Sequence, residues 1–442
     1  MTPERPQGMR AFSIVWVGQV LSLVGSSMTG FALTIWAWEM TGSVTNLALV
    51  GFFNFTPQVI FSPIAGALVD RWNRKLVMAL SDLAAVLSTS AILVIFLFFD
   101  LQIWHLYIAG AFSGFFQAFQ WPAYSAAIST MIPKEHFARA SGMMSLAEWG
   151  SGILSPALAG VFIGTIGIAG ILILDILTFF IALMMLLMVV IPHPKVSAVG
   201  MESKGTLFKE SLYGFQYILK RPSMLGLQLV FFFGNLLATI AYTQINPMIL
   251  ARTSDNAKML ALVQSVTSAS GVAGSLLVTA TGGPKRKILG VLGGWLCSGI
   301  GLVFLGMGSS PAMWIPAIIL GTTAGPLINS SNQAIWQSKV PGDIQGKVFS
   351  VRRVLAQISA PVSMLIAGPL ADKVTEPLMQ NPQTWLSMNF GTIFGRSLGS
   401  GMGLIMTVCG LLVMGVAIIG ASLSLIRNVE TIIPDQVETH PE

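Results

Sequence analysis

The sequence predicts an all-α polytopic membrane protein: twelve transmembrane helices in two six-helix halves related by pseudo-symmetry. Three observations carry this reading. Of the 442 residues 54% are hydrophobic and only 10% charged, with a mean hydropathy of +0.75, more apolar than a water-soluble chain of this size. The apolar residues gather into twelve runs of the length, about 20 residues, that a helix needs to cross about 30 Å of hydrocarbon. With twelve spans, twenty Lys and Arg fall on the side that holds both termini, and four, Arg252, Lys258, Lys373 and Arg396, on the other. A membrane β-barrel is excluded, because its strands would alternate in polarity over about 10 residues instead of staying apolar throughout.

The runs cover 12–38, 46–69, 75–99, 103–131, 140–164, 168–191, 224–250, 258–281, 287–308, 312–338, 346–371 and 401–426. The bias in basic residues places both termini in the cytoplasm and the chain in the plasma (inner) membrane. Arg5 and Arg10 lead into a first run too long for the apolar region of a cleaved signal, so the first span is read as its own insertion signal. The net charge of +6 follows from this topology and implies no nucleic-acid partner. Cys297 and Cys409 lie inside apolar runs, where a small buried hydrophobe is the expected role.

Residues 1–191 form the expected N-terminal half and 224–442 the C-terminal half. The linker 192–223 is polar, then amphipathic, with Phe208, Leu212, Phe215 and Leu219 on one helical face, as in a helix lying on the cytoplasmic surface. Residues 372–400 read as an exterior loop whose Trp385, Phe390 and Phe394 touch the headgroup layer. Short matches recur in order between the halves: NRKLVMAL with KRKILGVL, IPKEHFARASG with VPGDIQGKVFS, and SPALAG with SAPVSMLIAG. Repeats of this kind are the mark of a transporter.

The loop GALVDRWNRK, between the second and third runs, resembles the GxxxDRxGRK signature of the major facilitator superfamily. Within it, WAWEMTGS, the Asp82 position, LDILTFFIALMMLL and VPGDIQGKVFS are similar to the third drug:proton antiporter family, which includes macrolide and siderophore exporters. In physical terms, Gly66 allows close helix approach, and Asp70 sits in reach of Arg71 and Arg74 for charge-assisted hydrogen bonds. Such a cluster can latch one conformation, and the resemblance implies a latch against the eleventh span in the outward-facing state. Asn73 stands where the family has Gly, and is expected to accept the left-handed turn at some cost. The second-half copy, TGGPKRK, has no acid, so the latch is expected to be asymmetric.

Acids inside spans are costly, about 2.5–3.5 kcal/mol on insertion scales, and mark candidate proton sites. There are three: Glu148, Asp175 and Asp82. Glu148 lies roughly 14 Å past Arg139 along a helix rising about 1.5 Å per residue, on a small and polar stripe with Ser141, Ser145, Gly152 and Ser155. It is the leading candidate for proton coupling. For Asp82 and Asp175, on spans that are peripheral in the family, a link to a neighbouring helix is the competing role.

Uncharged polar stripes mark cavity faces: Gln19 and Ser26 below Trp36; Gln117, Gln120 and Tyr124 beside Trp121; Asn235, Thr239, Tyr242 and Asn246; and Asn329, Gln333 and Trp336. They fall on the first, fourth, seventh and tenth spans, which the resemblance places around the central cavity. No Lys or Arg is read deep in a span, and the aromatic and Met content suits an amphiphilic, neutral or cationic small molecule. GSGILSPALAG resembles the GxxxGPxxGG element of antiporters, with Pro156 and small residues suited to packing on Ser268, Gly271 and Ser275.

The expected function is proton-coupled efflux by a monomer in contact with membrane lipids, with the proton gradient as energy source and no cofactor or metal. An uptake symporter, a lysolipid flippase and a non-transporting receptor or scaffold are the alternatives. An enzyme is not expected: the four His lie near loops or the C-terminal end, and neither an HExxH pair nor a phosphate loop occurs.

Overall fold

The computed structural model describes residues 8–69, 72–132, 137–191, 215–340 and 345–433. Asp70, Arg71 and most of the linker, 192–214, lie outside them, and for Gly66, Trp121 and Glu148 only the helical backbone is described. Every regular element among the described residues is helical. In order they are α1 (Gly8–Thr41), α2 (Val44–Val69), α3 (Arg74–Phe98), α4 (Ile103–Met131), α5 (Phe137–Phe162), α6 (Gly167–Met188), α7 (Pro222–Thr243), α8 (Ile245–Arg252) and α9 (Ala257–Thr281). They continue with α10 (Lys287–Met307), α11 (Pro311–Lys339), α12 (Gln345–Gln357), α13 (Ser359–Leu370), a π-helical turn (Ala371–Thr375), α14 (Glu376–Gln380), α15 (Trp385–Phe394), α16 (Ser400–Ser422), α17 (Ser424–Arg427) and α18 (Val429–Ile432). Ten of these helices, counting those that run on across a short break, are long and apolar enough to cross a bilayer. The helices α4 and α5 are 29 and 26 residues long.

The chain forms two compact units, 1–196 with 253–268, and 197–252 with 269–442. In the first, α1 lies along α6, α5 and α4, while α3 packs on α4 and α6 and α2 on α4. Lipid gives helices no hydrophobic reason to associate, so close packing at small residues has to hold them together. A methyl built on Gly114 of α4 would sit 1.9 Å from the Asn54 carbonyl oxygen of α2, a contact only Gly permits.

The start of α3 corrects the expectation for Asn73. Its φ of −67° and ψ of 110° are extended, not left-handed, and its side chain accepts the Leu76 N–H at 3.3 Å. Asn is a favoured N-cap, so the departure from Gly strengthens the helix start where a costly turn was expected. Two residues on, Lys75 Nζ donates to the carbonyls of Leu187 at 2.9 Å and Val189 at 2.7 Å, neutralising the C-terminal end of α6.

In the second unit α10 lies between α11 and α16, and α7 packs on α13 and α16. Side chains far away in sequence cap both ends of α10. Glu430 accepts the Lys287 N–H at 3.0 Å and the Ile288 N–H at 3.1 Å, while Arg252 donates to the Gly306 carbonyl at 3.3 Å and also to that of Gly308. The acid absent from TGGPKRK is thus supplied by the C-terminal segment. Lys339, buried at the end of α11, donates to the Glu430 carbonyl.

The run read as 224–250 breaks at Gln244, which is fully buried and donates to the Ala367 carbonyl at 2.9 Å, so Asn246 belongs to α8 and not to the α7 stripe. The stretch 372–400 is helical at its beginning and middle. Its buried Glu376 accepts the Met402 N–H at 2.9 Å and the Gly399 N–H at 3.2 Å, capping α16. Of the amphipathic face read in the linker, Phe215 and Leu219 are exposed, whereas Tyr217 and Ile218 join the core.

Glu430→Ala is expected to cost about 0.5–2 kcal/mol through loss of a helix cap, and Gly114→Val about 1–3 kcal/mol through overpacking. Thermal unfolding in detergent measures both against the wild type.

Candidate substrate and proton site

The polar faces of the first unit converge. Helices α1 to α5 enclose a cavity of about 330 Å³. Trp16, Gln19, Ser22 and Ser26 reach it from α1 at helical spacing; Gln117, Gln120 and Tyr124 reach it from α4. Gln58 of α2, Ser81 and Asp82 of α3, and Met144 and Ala147 of α5 complete the wall. The α5 backbone is held to α1 by the Trp16 indole, which donates to the Met143 carbonyl at 2.8 Å.

Among the described residues Asp82 is the charged group in this wall. It is 6% exposed, and its carboxylate accepts the Gln19 amide at 3.1 Å on one oxygen and the Gln120 amide at 2.7 Å on the other. The Gln120 amide also donates to the Gln19 carbonyl oxygen at 3.2 Å, closing a triangle across α1, α3 and α4. Asp82 therefore does link helices, and it does so from the wall of the cavity. In the same wall the Gln120 carbonyl oxygen and the Tyr124 hydroxyl are buried without a hydrogen-bond partner among the described residues.

About two turns further along α1 the arrangement repeats with different donors. Asp175 of α6, 4% exposed, accepts the Ser26 hydroxyl at 2.9 Å and the Thr89 hydroxyl of α3 at 3.1 Å. A glycine makes this possible: a methyl on Gly25 would meet Thr178 Oγ1 at 2.4 Å and the Asp175 Cα at 3.1 Å.

Of the residues anticipated for the cavity, Gln19, Ser26, Gln117 and Tyr124 are brought together with Asp82. Trp36 is not; it lies almost three turns beyond Ser26 on α1 and packs against the buried cluster of Ala37, Ile92, Leu101, Leu106 and Leu172. In the second unit Asn235, Thr239 and Tyr242 lie on α7, and Asn329, Gln333 and Trp336 on α11. Trp336 is a correction: it is 0% exposed within the core of that unit, because its large ring is covered from α7, α10 and α12. Arg352, one residue into the span 351–380, donates to Gln333 Oε1 at 2.9 Å and lies 5.4 Å from the Trp336 ring centre, a contact not anticipated for it. The signal was present as an Arg pair within VFSVRRVLAQ. Trp16, Gln58 and Ser81 were missed: Trp16 precedes the Gln19 stripe as an aromatic residue, Ser81 is overshadowed by the adjacent acid Asp82, and Gln58 lies in a run with no polar stripe read in it.

The expected packing of the Pro156 helix is present: Ser268 donates to the Gly152 carbonyl at 2.8 Å, and Ser265 to that of Ile153 at 2.9 Å. Next to Glu39, the Trp38 indole donates to Asp255 at 2.8 Å. Among the described residues no group of three His, Cys, Asp or Glu is placed to hold a metal ion.

A buried carboxylate in a cavity between membrane-length helices is an arrangement for moving a solute, and comparison with known families agrees. The profile described as Major Facilitator Superfamily matches residues 15–364. The chain belongs to this superfamily. It is a membrane transporter with many relatives among efflux proteins, and not an enzyme. Macrolide efflux protein A of Streptococcus pyogenes is 25% identical over 370 residues, 82% of this chain and 90% of that protein. Enterobactin exporter EntS of Escherichia coli O81 (strain ED1a) is 24% identical over 447 residues, covering 97% of this chain and 95% of that one. Among solved structures, a bacterial homolog of the human lysosomal transporter Spinster in an inward-facing, unoccupied conformation has a TM-score of 0.65. It is 14% identical and covers 93% of this chain and 96% of the other, a likeness that concerns the superfamily fold alone.

Gln120→Leu removes the 2.7 Å donor from buried Asp82, and an acceptor left unmatched in this way is expected to cost about 1–3 kcal/mol. Unfolding in detergent measures the loss.

Proposed function

We propose that this transporter exports an amphiphilic, neutral or cationic small molecule in exchange for protons. In this reading twelve helices form two six-helix halves that rock about a midplane site, with both termini in the cytoplasm and the monomer as the working unit. The observation that carries the reading is Asp82, a carboxylate buried in the wall of the first-unit cavity and held there, among the described residues, by the neutral amides of Gln19 and Gln120. A charge so placed has two natural counter-charges, a proton or a cationic solute, and loading one weakens the hold on the other. The rest of the wall supports the same substrate class: amides and hydroxyls for polar groups, Trp16 and Tyr124 for apolar or cationic ones, and, among the described residues, no Lys or Arg to pair with an anion. The relatives named for macrolide and enterobactin efflux support the outward direction.

The conformational latch of Gly66, Asp70, Arg71 and Arg74 belongs to this proposal. The capping role of Asn73 supports it, because a firmly started α3 holds Arg74 at a fixed place beside the loop.

In inverted vesicles with an imposed pH gradient, the wild-type protein is expected to accumulate ethidium. Asp82→Asn should lower accumulation by about tenfold or more, while leaving downhill exchange. Glu148→Gln is measured in parallel as the competing coupling acid; if only that change uncouples transport, Asp82 is not the proton site. For the latch, Asp70→Asn should shift the balance of inward- and outward-facing states, read as distances between spin labels at helix ends.

A further inference from the structure

Asp175 is the second buried acid of the first unit, and efflux through Asp82 leaves it unexplained. It does not line the cavity, and its side chain is held by the hydroxyls of Ser26 and Thr89, with that of Thr29 on α1 also beside it. Of these donors Ser26 also lines the cavity and Thr89 does not. One side chain therefore touches both the solute space and the enclosed carboxylate. Gly25 brings α1 close enough for this, since any larger residue there would collide with Thr178 and Asp175.

Among the described residues the groups facing Asp175 from the packed elements are neutral: Ser26 and Thr29 on α1, Thr89 on α3, and Thr178 on α6 itself, whose hydroxyl donates to the Asp175 backbone carbonyl at 2.9 Å. The nearest acid on α3 is Asp82, about two turns away along that helix, and on α5 it is Glu148, whose side chain lies outside the described residues. No cationic side chain pairs with Asp175 among the described residues, and a buried charge without a counter-ion is expensive to keep.

We propose that Asp175 is a further proton site, served from the cavity through the Ser26 hydroxyl, so that a transport cycle carries a proton at Asp175 as well as at Asp82. A proton arriving from the cavity bonds to Ser26 Oγ while the original hydroxyl proton passes to Asp175 Oδ1. The hydroxyl is regenerated and the carboxylate becomes a neutral acid. The acid O–H then donates to Ser26 Oγ, and the Ser26 O–H turns into the cavity, where it meets the solute. Ser26 is the positioning residue of this step.

The inference rests on the proton-coupled export proposed above, and one experiment separates the two. The protein is reconstituted in liposomes with the membrane potential clamped to zero, and the ethidium gradient built at each imposed pH gradient is measured. The slope of log ethidium ratio against pH difference gives protons exchanged per ethidium. The wild type should give about two, Ser26→Ala and Asp175→Asn about one each, their double variant about one, and Ser26→Thr about two again. A wild type with slope near one, or Ser26→Ala keeping about two, overturns the proposal while leaving export intact. A wild type that builds no ethidium gradient overturns the exporter reading itself. Asp175→Asn retains a polar side chain for Ser26 and Thr89, so the stoichiometry can be read even if Ser26→Ala does not fold.

Discussion

A carboxylate enclosed between helices in lipid has to find hydrogen-bond donors within the protein, and in the first unit α1 supplies a donor to both such acids. Gln19 serves Asp82 and Ser26 serves Asp175, from the same face of one helix. This arrangement requires α1 to lie hard against α6, which Gly18 and Gly25 permit: a methyl on Gly18 would be 3.0 Å from the Ala182 Cα. Were α1 to stand further off, Asp175 would lose the Ser26 hydroxyl and Asp82 the Gln19 amide. Packing and electrostatics are thus one constraint here, and the cavity forms on the side of α1 that carries the donors. Any movement of α1 changes the hydrogen bonding of both acids, which is how protonation and helix position can be linked.

In the second unit charged side chains serve the helix ends. Glu430 and Arg252 sit at opposite ends of α10, each matching the sign of the helix dipole, and Glu376 does the same for the start of α16. Lys75 does so for the end of α6 in the first unit. Several charges that read as loop or topogenic residues are therefore structural, holding helix ends whose own hydrogen bonds run out. The second-half loop shows the consequence: it has lost its local acid and recovers one from a segment 143 residues away.

The α4 stripe of Gln117, Gln120 and Tyr124 was legible because a helical repeat of polar residues in an apolar run points one way. Trp336, at the end of the α11 stripe, departs from its expected place for an equally physical reason. Spacing tells which side of a helix a residue occupies, but not whether that side faces a cavity or a neighbouring helix, and the Trp336 ring is enclosed in core. Asn73 failed differently, since the same residue type serves both left-handed turns and helix N-caps, and only the backbone angles separate them.

The sequence by itself determined the membrane class, the helical segments, the segregation of basic residues and the positions of the intramembrane acids. All of these follow from local composition and period. Tertiary structure alone decided that Asp82 would meet Gln19 and Gln120, 63 and 38 residues away, and that Asp175 would meet Ser26, 149 residues away. The reason lies in the range of the forces: hydropathy and helix formation act along the chain, whereas a hydrogen bond needs two groups within about 3 Å, and only packing brings distant helices that close.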